Sequence, residues 1–86
     1  MGKYSRLREI ILSGSSDSNI EFSELCQFLV RVGFAERIKG SHHIFARSDI
    51  PEIINLQPRG NKAKSYQVRQ IRGLVVKYQL GVKDAD

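Results

Sequence analysis

The chain has 86 residues, a formal net charge of +5 and a hydrophobic fraction of 41%, which allows one small core, leaves no room for a second, and argues against a disordered chain. No apolar run reaches the roughly 18–20 residues of a membrane span, and the start Met1-Gly2-Lys3-Tyr4-Ser5-Arg6 lacks the apolar centre of a secretory signal. Cys26 is the single cysteine, so no internal disulfide can form and a reduced, cytoplasmic protein with no membrane role is expected.

Tyr4, Leu7, Ile10 and Ile11 recur at helical spacing, and Gly14 stands where such a helix would stop. The polar run Ser13 to Asn19 then reads as a connector of turn-forming residues. A second helix is predicted from Ser23 as N-cap, with Glu24 in its first turn and Leu25, Phe28, Leu29 and Val32 as its buried stripe, ending at Gly33. Cys26 lies beside that stripe and reads as a small core residue.

Beyond Gly33 the period changes. Phe34 to Lys39 reads as a strand, Gly40-Ser41 as its turn and His42 to Ala46 as the returning strand. Arg47 to Pro51 reads as a loop, because proline cannot donate to a ladder and restricts the residue before it. A third strand is expected over Glu52 to Gln57, closed by Pro58. The basic run Arg59 to Lys64 leads to a last helix, with Ser65 as cap, Val68, Ile71, Leu74, Val75 and Tyr78 as its stripe, and Gly81 at its end. The layout is α+β: a three-stranded antiparallel sheet with helices backing one face.

The charge is unevenly placed. From Pro58 to Val82 there are six basic residues (Arg59, Lys62, Lys64, Arg69, Arg72, Lys77) and no acidic one, and a second acid-free stretch, Arg37 to Ser48, surrounds both histidines. Such a one-signed field suits a polyanion, most simply nucleic acid. Lys62, Lys64, Arg69 and Arg72 are the candidate phosphate contacts, the last two near a helix N-terminus whose dipole also favours anions.

Lys39-Gly40-Ser41-His42-His43-Ile44-Phe45 carries the chemistry. Imidazole exchanges protons near neutral pH, and the turn lets a backbone approach a ligand closely. On an extended strand His42 and His43 face opposite ways, so one of them points off whichever face is buried. An imidazole on a basic sheet face could deprotonate a ribose 2′-OH and drive attack on the adjacent phosphate, a cleavage that needs no metal. One cysteine with two adjacent histidines is in any case a poor metal set, and no P-loop, dinucleotide fingerprint or Ser-His-Asp order is present. A non-catalytic RNA-binding module and a basic adaptor for an acidic protein stand as alternatives; neither accounts for the histidine beside the turn.

From about Phe22 to Leu80 the residues resemble the HicA-type toxins of bacterial and archaeal toxin–antitoxin pairs. The parts come in the family's order: Val30-Arg31-Val32-Gly33-Phe34, then Gly-Ser-His-His-Ile-Phe at 40–45, then Ile54-Asn55-Leu56-Gln57-Pro58, then a basic loop into Ser65-Tyr66-Gln67-Val68-Arg69-Gln70-Ile71. The resemblance implies a double-stranded-RNA-binding-domain-like fold, an endoribonuclease (mRNA interferase) that cleaves mRNA, and a HicB-type antitoxin that masks the site; no metal or small-molecule cofactor is expected. It implies an essential histidine after Gly-Ser, which is His42, with His43 the alternative because some members carry theirs one place later. Lys39, Gly40 and Ser41 join Lys62, Lys64, Arg69 and Arg72 as expected RNA contacts. Residues 1–20 form an N-terminal helical extension, 21–82 the HicA-like α-β-β-β-α domain and 83–86 a tail. The loop Arg47–Glu52 also lies outside the family pattern.

Overall fold

The computed structural model describes residues 2–82 of the chain; the proposed tail 83–86 lies outside them. The elements run α1 (Lys3–Ser13), α2 (Phe22–Arg31), β1 (Ala35–Lys39), β2 (His42–Arg47), β3 (Ile50–Leu56) and α3 (Ser65–Tyr78). The strands form one antiparallel sheet in the order β1-β2-β3. This is the α+β, double-stranded-RNA-binding-domain-like arrangement expected from the sequence, with its additional N-terminal helix.

One face of the sheet closes the core. Phe45, Ile54 and Leu56 are fully buried and join Leu25, Phe28 and Leu29 of α2 and Val68, Ile71 and Val75 of α3 in one apolar cluster. Truncating a side chain like Phe45 there costs about 3–5 kcal/mol through lost transfer energy and the cavity left behind. On the opposite face Ile53 is 64% exposed and Arg37, Lys39, His42 and Asn55 are exposed as well.

Helix α1 is bound into this core and does not hang from it. Ile11 is fully buried, while Tyr4 and Leu7 pack against the cluster in part and Ile10 is turned outward, so the buried stripe is narrower than its spacing suggested. Arg8 donates to the Leu80 carbonyl at 2.7 Å. Arg72 reaches up from α3 and donates to the Ile11 carbonyl at 3.0 Å and, bidentately, to Asp17 at 2.9 Å. Its guanidinium passes 3.2 Å from where a Cβ on Gly14 would stand, and Gly14, at φ +72°, closes the helix. A side chain at Gly14 would strain the backbone and press on that ion pair.

Several element ends differ from expectation, the larger differences for local reasons. Helix α2 begins at Phe22, one residue before the predicted Ser23 cap, because the Asn61 carbonyl takes the Phe22 N–H at 2.9 Å. Helix α3 is capped at Lys64, whose N–H is taken by Gln67 Oε1 at 3.3 Å, and not by Ser65. It stops at Tyr78, before Gly81, because Gln79 adopts the left-handed conformation (φ 50°) that the glycine was expected to supply. The expected loop Arg47–Pro51 is a tight turn at Ser48-Asp49, since Arg47 already pairs with Ile50 across a bulge. Proline is tolerated at position 51 because β3 is an edge strand with one unpaired side.

Candidate active site

The turn Gly40-Ser41 joins β1 to β2 with only two residues, and Gly40 alone takes positive φ, +62°. That places Lys39 directly opposite His42, with Ile38 opposite His43 and Arg37 opposite Ile44. Partners across an antiparallel pair share a face. Arg37, Lys39 and His42 therefore stand together on the open face of the sheet, and all three are exposed.

The pleat separates the two histidines. His42 is exposed, and its Nδ1 lies 3.0 Å from Asn55 Oδ1 on β3. Its Nε2 lies 3.3 Å from the Gln57 amide nitrogen, which also donates to Ser41 Oγ at 3.1 Å. The two contacts are consistent with a single tautomer: Nδ1–H donates to Asn55, while the Nε2 lone pair accepts from Gln57. His43 points to the covered face. It hydrogen-bonds Glu36 Oε2 at 2.9 Å through Nδ1 and meets the Phe22 ring edge-on with centroids 4.9 Å apart.

Asn55 and Gln57 escaped the sequence reading, although a signal for them exists. Ile53, Asn55 and Gln57 alternate with the buried Ile54 and Leu56, so the first three share the face that His42 occupies. Only the β2–β3 register, in which His43 pairs with Leu56 and Ile44 with Asn55, says which of them reach the imidazole.

The second group of expected contacts lies on the segment 59–72. Arg59, Lys62 and Lys64 line one cleft of about 310 Å³, and Arg69 is exposed on α3. Lys62 is paired with Glu21 at 2.9 Å. Arg72 is engaged by Asp17, which holds the Asp17 carboxyl below the usual carboxylate range through that hydrogen bond; the same bond raises the Arg72 guanidinium. The structure thus joins Lys39, Gly40, Ser41 and His42 in one place, Lys62 and Lys64 in another, and leaves Arg72 as the tie between α3 and α1.

The fold also brings together groups that sequence spacing kept apart. Cys26 of α2, Glu36 of β1 and His43 of β2 place one ligand atom each within 4.8 Å of one another. The thiol is buried, and its pKa is pushed up to about 12 by that burial and by the neighbouring Glu36 carboxylate. The expectation of a poor metal set counted cysteine and histidine alone and missed Glu36, which only the strand register aligns.

Among the described residues, no helix is long and apolar enough to cross a membrane. No characterised protein and no solved structure matches the chain. A family model, described as the HicA toxin of bacterial toxin–antitoxin systems, matches residues 22–82. That span takes in every strand, α2, α3 and the turn that carries His42. The chain belongs to the HicA toxin family, the toxins of bacterial toxin–antitoxin pairs.

Proposed function

We propose that this toxin is an endoribonuclease that cleaves mRNA in the cytoplasm without a metal in the chemical step, with His42 as general base and a HicB-type antitoxin as its inhibitor. The observation that carries this reading is the exposed imidazole of His42, held at Nδ1 by Asn55 beside a two-residue turn. In this reading a ribose 2′-OH displaces the Gln57 amide and gives its proton to Nε2. The 2′-oxygen then bonds the adjacent phosphorus and the P–O5′ bond breaks. The products are a 2′,3′-cyclic phosphate and a 5′-hydroxyl, whose oxygen takes a proton from the imidazolium or from water. A positioned general base is worth about 10²–10⁴ in rate.

The open-face cations Arg37 and Lys39 would neutralise charge building on the phosphate. The Gly40-Ser41 turn offers backbone and hydroxyl contacts beside it, and Lys62, Lys64 and Arg69 would hold more distant phosphates. Arg72 enters this reading as an anchor of α1. Residues 21–82 serve as the toxin domain and 1–20 as an extension packed on it. The antitoxin would cover the open face, where Ile53 offers an apolar contact on the same side as His42.

The reading is tested by inducible expression of the wild type and His42→Ala without antitoxin, following growth and the integrity of cellular RNA. Arrest with fragmented mRNA in the wild type alone is the expected result. Arrest with fragmentation in His42→Ala, or intact RNA and normal growth with a folded wild type, overturns it.

A further inference from the structure

The geometry points to a divalent transition-metal site of the zinc type formed by Cys26, Glu36 and His43, on the face of the sheet opposite His42. Three different elements supply the three ligands: α2 the thiol, β1 the carboxylate and β2 the imidazole. Their ligand atoms already lie within 4.8 Å of one another. A borderline-soft ion takes this mixture of sulfur, nitrogen and oxygen, whereas calcium and magnesium take oxygen sets.

The three ligand atoms lie within 4.8 Å of one another, so a tetrahedral ion would draw the pairs that include sulfur together by up to about 1 Å and open the nitrogen–oxygen pair slightly. Ligands about 2.0–2.1 Å from a tetrahedral zinc stand about 3.3–3.4 Å apart. The His43 Nδ1 and Glu36 Oε2 atoms are now 2.9 Å apart across a hydrogen bond. Opening that pair by a few tenths of an ångström exchanges its shared proton for the metal. Both side chains are only about three-quarters covered (23% and 22% exposed), so each has room to move. Cys26 supplies the fixed end, being packed in the core at 5% exposure.

Charge and access favour the same conclusion. A thiolate at Cys26 would stand against the Glu36 carboxylate, the described residues that line the groove include no Lys or Arg, and a dication is the counter-charge that relieves this crowding. All three residues line one open groove of about 470 Å³, together with Gln27, Glu21 and Asn61. The groove gives the ion a path in and leaves a fourth coordination position to water. Three protein ligands with one position open is a recurrent zinc arrangement. Once bound, the ion would clamp α2 to the β1–β2 hairpin that presents His42 on its other side.

This inference does not depend on the ribonuclease reading, and its test uses no RNA. The full chain, purified without a polyhistidine tag, is titrated with Co²⁺ and followed by absorption, with Zn²⁺ as competitor. One equivalent of Co²⁺ is expected to bring a thiolate-to-cobalt charge-transfer band and the intense visible bands of a four-coordinate ion, both removed by Zn²⁺. Cys26→Ser should lose the charge-transfer band, and Glu36→Gln and His43→Gln should each weaken binding roughly tenfold or more. The two latter variants sit at the groove wall, so they keep the test decisive if Cys26→Ser does not fold. Zn²⁺ should raise the melting temperature of the wild type and of His42→Ala alike. Binding without a thiolate band, or with equal affinity in the folded Glu36→Gln and His43→Gln proteins, would mean that the ion sits elsewhere and would overturn the site.

Discussion

Asn55 Oδ1 stands 3.0 Å from His42 Nδ1, so a side chain on the edge strand orients the ring on the central strand. The contact has a consequence for rate. Asn55→Ala is expected to lower kcat for RNA cleavage about tenfold, the worth of one hydrogen bond of about 1–1.5 kcal/mol, with KM nearly unchanged. Single-turnover cleavage with a short RNA checks this. An unchanged kcat with a raised KM would make Asn55 a substrate contact instead of an orienting group.

His43 is expected to behave unlike its neighbour. It faces α2, contacts Phe22 and Glu36 and leaves the open face to His42. His43→Ala should therefore lower the melting temperature while retaining cleavage within a few fold of the wild type. Loss of cleavage in a His43→Ala protein with native circular dichroism and melting would move the base to the covered face.

Two arginines one helical turn apart should separate in their effects. Arg69 is exposed, and Arg69→Ala should weaken RNA binding and reduce the slope of log K against log salt by about one. Arg72 is held by Asp17 and the Ile11 carbonyl, and Arg72→Ala should instead lower the melting temperature by several degrees, with the salt slope kept. Filter binding across a salt series, paired with thermal melts, decides this. A flattened slope for Arg72→Ala at unchanged stability would return that residue to the phosphate surface.

Acid should loosen the contact between β3 and α3. Glu52 accepts hydrogen bonds from Tyr78 and Lys77, which hold its pKa at about 2 against an ordinary value of 4.5. A carboxyl with a depressed folded pKa stabilises the fold above its unfolded pKa and loses that contribution as pH falls through the folded one. Part of the wild-type stability is thus expected to disappear between pH 4.5 and pH 2, and Glu52→Gln should show a flatter profile there. Thermal melts across that range read the difference; parallel wild-type and variant profiles would show that Glu52 is not coupled to folding.

Element order and most of the core were legible in the chain, because burial imprints its own period. The stripe Leu25, Phe28, Leu29 of α2 with Val32 just past its end, and that of α3, repeat at helical spacing and are buried, apart from the partly buried Tyr78. The Gly40-Ser41 turn was legible for a related reason, since a two-residue hairpin needs a residue that accepts positive φ. What depends on register and on the far side of the chain emerged only in the fold. It separated His42 from His43, brought Asn55 and Gln57 to the imidazole, and aligned Glu36 with Cys26 and His43. It also committed Arg72 to Asp17, 55 residues away, where composition counted only another exposed positive charge. Local periodicity records which side of an element is buried; which side chains then meet depends on strand register and packing between elements, which no single segment of the sequence contains.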